Sequence, residues 1–275
     1  ILDLHAAPGA QNPDWHSDSD GQARLWKKKS LQKQYFAIWR RIAKRYKNET
    51  TIAGYDVLNE PVPANPKILP KFYAQVIKEI RKVDKNHILF LEAHNYGQNL
   101  KILGQPKGKN IAYSIHVYQP INFTFNFQPH LRYPGKIDGK YWDKKRVYDY
   151  IAQYQKLSEK WQVPIFVGEF GINYRSPKRY GELRYLSDVL DCFRKFGFHW
   201  TYWSYKAIAG DLYPDGIWQY LPNSPWVKRE GPVLGWENFY SLWKKHKQQI
   251  AASWKTVKFT ENKYISRLLS KYFNT

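Results

Sequence analysis

One stretch constrains the fold of this chain more than any other: an apolar, β-prone run, Thr51–Leu58, that ends in Asn59-Glu60-Pro61. Such a run is typical of a strand that is buried on both faces of a parallel sheet. Pro61 cannot donate a hydrogen bond to a neighbouring strand, so the strand ends at or before it. Asn59 and Glu60 are therefore expected at the carboxyl end of a buried strand, where parallel α/β folds gather their catalytic groups. The alternative is a strand-end turn with a solvated glutamate.

A second apolar run, Pro164–Val167, ends in the same way, in Gly168-Glu169-Phe170-Gly171. Glycines on both sides of Glu169 permit close approach of the backbone and leave room around the carboxylate. Two glutamates that end different strands of one parallel sheet would lie on one cavity rim. Glycoside hydrolysis uses such a pair, in which one carboxyl group protonates the leaving oxygen and the other attacks or activates water.

Together these motifs resemble glycoside hydrolase family 5, the cellulase family of (β/α)8 barrels. In that family the acid/base follows an asparagine in Asn-Glu-Pro, and the nucleophile ends a late strand in Glu-x-Gly. The resemblance implies that the chain is a glycoside hydrolase that cleaves a β-linked glucan with retention. Glu169 would be the nucleophile, and Glu60 would be the acid/base with the raised pKa of the pair. No metal or cofactor is expected.

Further residues match the family in the correct order along the chain, each at the end of an expected strand. The resemblance implies that Asn59 binds the 2-hydroxyl of the sugar and that Tyr118 donates a hydrogen bond that keeps the nucleophile ionised. Trp203 would form the floor under the sugar beside the cleaved bond. His5 and His116 would complete the substrate-binding set.

The resemblance covers residues 1–250 and implies an α/β fold, a (β/α)8 TIM barrel of which this chain carries strands 3 to 8 and their helices. Apolar residues at helical spacing separate the strands, as in Leu31, Tyr35, Ile38, Ile42 and Tyr46. We expect residues 1–275 to form a single catalytic domain. We also expect the first two βα units, with an arginine that supports the nucleophile, to be absent from this chain. The strands over Ile1–Leu4 and Phe198–Trp203 would then not be hydrogen-bonded neighbours.

Several aromatic and acidic groups allow more than one interpretation. Glu92, which follows the strand His87–Leu91, is interpreted as structural rather than as a substrate contact. The long aromatic segment Gln119–Tyr141 is expected to form one wall of a cleft. Trp218 and Trp226 are either sugar platforms or packed side chains, a closing helix is expected over Trp236–Ile250, and the basic tail to Thr275 has no assigned role.

The charge balance narrows the set of partners. The chain has 44 lysines and arginines against 23 acidic residues, a formal net charge of +21. These charges spread over several helical stretches without a nucleic-acid motif, which favours a solvated helical exterior and no nucleic-acid partner. Attraction to an anionic polymer is the alternative. Aromatic residues make up 17% of the chain and include 12 tryptophans, which is typical of a protein that stacks sugar rings.

Cysteine content and hydropathy argue against a disulfide-stabilised fold, a Cys/His metal site and a transmembrane helix. Cys192 is the single cysteine, so neither an internal disulfide nor Cys/His metal-ligand spacing exists, and we expect a buried thiol. The sequence has no apolar run of about 18 residues and predicts no transmembrane helix. We expect the full-length protein to be secreted or periplasmic, with its signal region outside this chain, and to be a monomer.

Two other functions remain open at this point. A carbohydrate-binding pseudo-enzyme is one, because the first two strands and the supporting arginine are expected to be missing. A basic module that binds an anionic polymer is the other. The linkage of the substrate also stays open, because β-1,4-glucan, β-1,3-glucan and mannan are cleaved in this family by near-identical catalytic groups. The choice between endo and exo action is open as well.

Overall fold

The computed structural model describes residues 1–176, 178–208, 210–220, 243–248, 251–252 and 255–273. The chain divides into two compact units. The first comprises Ile1–Val117, Ala152–Gly168 and Phe198–Trp200, and the second comprises Tyr118–Ile151, Glu169–Gly197 and Thr201–Thr275. Trp226 lies outside the described residues. Of the helix expected over Trp236–Ile250, residues 243–248 are described and are helical.

Strands and helices alternate along the chain as the sequence predicts. The strands are β1 (Leu2–Asp3), β2 (Gly54–Asp56), β3 (Ile88–Glu92), β4 (Ile111–Val117), β5 (Gly135–Ile137), β6 (Lys140–Trp142), β7 (Ile165–Phe170), β8 (His199–Tyr202), β9 (Lys206–Ile208), β10 (Trp218–Tyr220) and β11 (Thr260–Glu261). The helices are α1 (Lys29–Tyr46), α2 (Ile68–Arg81), α3 (His94–Gly97), α4 (Ile121–Thr124), α5 (Lys144–Trp161), α6 (Glu182–Phe196) and α7 (Lys263–Phe273).

The main sheet has six strands in the order β1-β2-β3-β4-β7-β8, and the first four pair in parallel. These are the six strands that the sequence predicts, and with their intervening helices they form part of a TIM barrel. Strands β1 and β8 stand at the two ends of this order, as expected. The strand predicted over Thr51–Leu58 is shorter in the structure, because Gly54–Asp56 pair with β3 and only Tyr55 and Asp56 also pair with β1.

Strand register brings matching side chains to one face of the sheet. Asp3 pairs with Asp56, Asp56 with Phe90, and Phe90 with Ala112. Side chains alternate between faces along a strand, so this row lies on a single face. Phe90 and Ala112 are buried against Phe166, with 4.9 Å between the two phenyl centroids. The row is therefore apolar toward β7 and acidic toward β1.

Helix α1 fixes the strand that leads to Glu60. Its buried residues are Tyr35, Trp39 and Ala43, so the buried stripe differs from the predicted one, which omitted Trp39. The indole Nε1 of Trp39 donates to the Val57 carbonyl at 2.8 Å, and the Tyr35 hydroxyl donates to the same oxygen. The carboxyl end of β2 is thus hydrogen-bonded to the helix that packs on it.

In the second unit, the predicted long loop Gln119–Tyr141 contains structure of its own. It holds helix α4, and strands β5 and β6 pair as an antiparallel hairpin that runs to Trp142. Tyr133 anchors the segment through a hydroxyl that donates to Asp188 of α6 at 2.6 Å. Cys192 on the same helix is buried, and burial raises the pKa of its thiol to about 11. No helix in the described ranges has the length and apolar character needed to cross a membrane.

Candidate active site

Glu60 follows strand β2 in a left-handed backbone conformation with φ of 46°. The loop after β1 fastens this turn, since the Gln11 Nε2 donates to the Asn59 carbonyl at 2.8 Å and the Asn12 Nδ2 donates to the Glu60 carbonyl at 3.0 Å. The Glu60 N–H donates to Glu92 Oε2 at 2.7 Å. Side chains from two other segments therefore hold the Asn-Glu-Pro turn in place.

Both oxygens of the Glu60 carboxylate contact an imidazole. His116 Nδ1 lies 2.8 Å from Oε1, and His16 Nε2 lies 3.0 Å from Oε2. His116 comes from β4 and its side chain is 1% exposed, whereas His16 comes from the short turn Trp15–Ser17 and its side chain is 20% exposed. One imidazole is thus fixed in the sheet, and the other is partly exposed to solvent on a loop.

His116 also links Glu60 to Glu92. Its Nε2 lies 3.3 Å from Glu92 Oε1, and Glu92 accepts the Glu60 N–H with its other oxygen. The three residues form a closed circuit of hydrogen bonds and ion pairs across β2, β3 and β4, which we call the Glu60–His116–Glu92 circuit. Glycines make room for the imidazole, because a Cβ at Gly97 would lie 2.8 Å from the ring and one at Gly168 would lie 3.3 Å from Nε2.

The ionisation of Glu60 differs from expectation. Burial raises the pKa of the Glu60 carboxyl, but the hydrogen bonds and positive charge of His116 and His16 outweigh it and hold the pKa well below its usual range. The sequence-based prediction of a raised pKa for Glu60 is therefore wrong for the chain without substrate. In the same cluster, burial raises the pKa of Glu92 in spite of its contact with His116.

Asp56 adds a further buried carboxyl group beneath the circuit. It is 5% exposed, and burial together with the negative charges of Glu92 and Asp3 raises its pKa well above the usual range. Asp3 bonds to His5, whose Nδ1 lies 2.9 Å from its Oδ2. A row of carboxyl groups thus runs along the sheet face from β1 to β3.

His5 and Asn59, both predicted for the site, lie beside one another at the ends of neighbouring strands. The His5 Nε2 is 3.5 Å from the Asn59 Nδ2, and Asn59 is 2% exposed. Gln11 joins the two segments, because its Nε2 donates to the carbonyl groups of both residues. Among the residues predicted for the site, the first unit therefore brings together His5, Asn59, Glu60 and His116.

The second unit brings together Glu169 and Tyr118. The Tyr118 hydroxyl donates to Glu169 Oε2 at 2.8 Å, the contact expected for a residue that keeps a nucleophile ionised. Thr124 steadies Tyr118 through a hydroxyl that donates to its carbonyl at 2.6 Å, and the Phe125 ring meets the Tyr118 ring edge-on at 4.9 Å.

Trp203 follows β8 in the second unit, next to the end of the strand that carries Glu169. Its N–H donates to the Phe170 carbonyl at 2.9 Å, and the residue is 41% exposed. Gly171 is required for this approach, because a Cβ there would lie 2.4 Å from the Trp203 carbonyl oxygen. A partly exposed tryptophan thus lies next to the residue that follows Glu169.

Sequence reasoning missed His16, Asn12 and Gln11 as individual contributors. They belong to the loop after β1, which is rich in polar side chains. The available signal was the density of amide and imidazole groups in that loop. Its function as a brace for the Asn-Glu-Pro turn depends on contacts across 48 residues of chain, between Asn12 and Glu60, that local pattern does not encode.

Comparison with known proteins identifies relatives among glycoside-cleaving enzymes. A β-xylosidase of Phanerodontia chrysosporium is 31% identical over 221 residues, which cover 76% of this chain and 45% of the relative. Endoglucanase C of Acetivibrio thermocellus is 24% identical over 244 residues, which cover 78% of this chain and 69% of the relative. The chain therefore spans about half the length of the first of these relatives.

Solved structures of other proteins resemble the fold of this chain. The crystal structure of a glycoside hydrolase superposes with a TM-score of 0.64 at 23% identity, over 80% of this chain and 70% of the other. The family model described as cellulase (glycosyl hydrolase family 5) matches residues 1–208. This match covers all of the strand-end residues discussed above, and the chain belongs to glycosyl hydrolase family 5, the cellulase family.

Proposed function

We propose that the protein hydrolyses a β-linked glucan with retention of configuration, with Glu169 as nucleophile and Glu60 as acid/base. The observation that carries this proposal is the difference between the partners of the two strand-end glutamates. Glu169 accepts a hydrogen bond from the Tyr118 hydroxyl, which favours a carboxylate that stays ionised. Glu60 contacts two imidazoles, which exchange protons near neutral pH in many enzymes.

The proposed reaction proceeds by two displacements. The Glu169 carboxylate attacks the anomeric carbon while Glu60 gives its proton to the leaving oxygen, so that the glycosidic C–O bond breaks as the glycosyl-enzyme bond forms. Water then enters, Glu60 takes its proton, and the resulting hydroxide equivalent displaces Glu169 from the sugar. The reaction is a net hydrolysis, and each carboxyl group returns to its starting state.

The remaining predicted residues bind the sugar in this proposal. Asn59 hydrogen-bonds the 2-hydroxyl of the sugar, where the transition state gains most. Trp203 offers an exposed aromatic face for stacking against a pyranose ring. His5, fixed by Asp3, supplies a polar contact at the same strand ends.

Substitution of the two glutamates tests the roles separately. Glu169→Ala in the intact protein is expected to abolish turnover, and added azide to restore it by forming a glycosyl azide of inverted configuration. Glu60→Ala is expected to retain glycosylation by 2,4-dinitrophenyl β-cellobioside, because a good leaving group needs little protonation, while cleavage of cellotetraose falls by about 10²- to 10⁴-fold.

Two outcomes would contradict the proposal. If both variants lose activity equally on both substrates, the division of labour between the glutamates is wrong. If the unaltered protein binds cellotetraose without releasing reducing sugar, the protein is a carbohydrate-binding pseudo-enzyme, the other candidate that the sequence leaves open.

A β-xyloside is a second candidate substrate, because the β-xylosidase of Phanerodontia chrysosporium shares 31% identity with this chain. The two candidates are distinguished by kcat/KM on aryl β-xylopyranoside and aryl β-cellobioside with the same leaving group. A higher kcat/KM on the cellobioside supports the glucan, and a higher value on the xyloside replaces it.

A further inference from the structure

His16 contacts one of the two carboxylate oxygens of Glu60, the group that must protonate the leaving oxygen in the proposed reaction. A general acid must bring a protonated oxygen within about 2.6–3.2 Å of the leaving oxygen. In the structure, His116 lies 2.8 Å from one oxygen of Glu60 and His16 lies 3.0 Å from the other. Each imidazole takes one lone pair of its carboxylate oxygen, so a leaving oxygen that approaches Glu60 from either of these directions must displace an imidazole.

The surroundings of the two histidines decide which one gives way. His116 is buried in β4 and bridges to Glu92, so moving it would disrupt the Glu60–His116–Glu92 circuit across three strands. His16 is partly exposed on the turn Trp15–Ser17, where the Asn12 Nδ2 lies 2.9 Å from the same ring nitrogen. Displacing His16 breaks contacts of one loop and leaves the sheet intact.

We propose that His16 is a positioning residue that the leaving-group sugar displaces from Glu60. In the free protein, His16 donates to Glu60 Oε2 and keeps the carboxylate ionised. In the substrate complex, the glycosidic oxygen takes the place of the imidazole at Oε2, and Glu60 takes up a proton from solution. This inference rests on the proposed function, because it assigns the displacing group to the leaving-group side of the same site.

The direction of the proton equilibrium follows from the contacts. Hydrogen bonds to a carboxylate favour its charged form, so removal of one of the two donors raises the proton affinity of Glu60. Among the described residues of the first unit, the titratable groups facing Glu60 are His16 from the loop, His116 from β4, Glu92 from β3 and Tyr96 from the turn after β3. Of these, His16 is the donor that comes from a partly exposed loop.

The pH dependence of cellotetraose hydrolysis tests the displacement. The alkaline limb of kcat/KM reports Glu60 in the free protein, and that of kcat reports Glu60 in the complex. We expect the kcat limb of the unaltered protein to lie about one pH unit or more above the kcat/KM limb. In His16→Ala, the kcat/KM limb should rise by about the same amount while the kcat limb stays in place, which closes the gap. His16→Gln keeps an N–H donor and should preserve most of the gap between the two limbs.

Three results would overturn the inference: coincident limbs in the unaltered protein, an equal shift of both limbs in His16→Ala, or a shift of neither. A residue with only a structural role would lower kcat/KM at all pH values without moving one limb alone. His130→Ala, which removes an exposed histidine of the second unit, serves as the matched control and should reproduce the unaltered profile.

A second measurement keeps the test independent of turnover. The ¹³C signal of the Glu60 carboxyl group is titrated by NMR in the unaltered protein and in His16→Ala, each with and without thio-linked cellotetraose, which is not hydrolysed. The apparent pKa should rise by about one unit or more on substitution or on ligand binding, but the two effects should not add. An unchanged titration on substitution overturns the inference, whereas failure of cellotetraose hydrolysis alone refutes the proposed function.

Discussion

At the scale of single residues, the two proposed catalytic carboxylates have environments of different kinds. Glu60 belongs to a buried network of imidazole and carboxyl groups, whereas Glu169 accepts a hydrogen bond from the Tyr118 phenol. This difference is the basis of the roles that we propose. Two carboxyl groups in different environments can take different roles, one as acid/base and the other as an ionised nucleophile.

Tyr118→Phe tests the hydrogen bond to Glu169. The substitution removes one donor to a charged group, an interaction that contributes about 1.5–3 kcal/mol, so kcat/KM on aryl β-cellobioside is expected to fall by about 10- to 150-fold. The ring remains to pack against Phe125, and circular dichroism should show an unchanged fold. Tyr141→Phe, at a residue that is 61% exposed, is the matched control, and equal activity of the two variants would contradict the role of Tyr118.

Residue-level prediction from sequence succeeded where strand ends fix position. The neighbouring ends of β1 and β2 bring His5 beside Asn59, the end of β4 brings His116 to Glu60 across β3, and Glu169 meets Tyr118 as expected. The ionisation of Glu60 was not predictable, because it depends on hydrogen bonds from His116 and also from His16. His16 belongs to a loop whose course has no sequence periodicity and becomes known only from the folded chain.

At the scale of elements, helix α1 determines where β2 ends. Trp39 and Tyr35 both donate to the carbonyl of Val57, three residues before Glu60. The sequence predicts this helix but misplaces its buried stripe. The spacing of apolar residues favoured Ile38 and Ile42 as buried positions, whereas the structure buries Trp39. A tryptophan whose indole N–H reaches a strand carbonyl packs inward for a polar reason that hydrophobic periodicity does not contain.

Trp39→Ala tests the contribution of this contact to the fold. The residue is fully buried, and its loss leaves a cavity and removes one hydrogen-bond donor, so we expect the free energy of unfolding to fall by about 3–5 kcal/mol in urea titration. Trp243→Ala, at a residue that is 44% exposed, should change it by less than about 0.5 kcal/mol. Similar losses in the two variants would show that α1 does not anchor β2 as described.

At the scale of the whole molecule, the six-stranded order and the family were both predictable. Five of the six strands of the main sheet, all except β3, end near a motif residue, and those motifs occur in the order of the family. The single-domain organisation of residues 1–275 stays a prediction, as does the interpretation of the +21 net charge as a solvated exterior. Charge composition affects solubility and association and contains little information about fold.

The retaining mechanism that we propose makes a prediction about the complete site. In an experimental structure of the intact protein, the carboxyl groups of Glu60 and Glu169 are expected to lie about 5–5.5 Å apart, the separation typical of retaining enzymes. A separation above about 7 Å would leave room for a water molecule between substrate and base, and would indicate inversion or a site without catalysis.

The Glu60–His116–Glu92 circuit also links the placement of the proposed acid/base to correct pairing of the strands. Its members come from the ends of three strands, and a slip of one residue in any strand would turn that side chain to the opposite face. The circuit therefore closes only when all three strands are paired in the native register. A chain with one strand out of register would keep the apolar burial of its other strands but would misplace the proposed acid/base, so we expect such a chain to be compact and inactive.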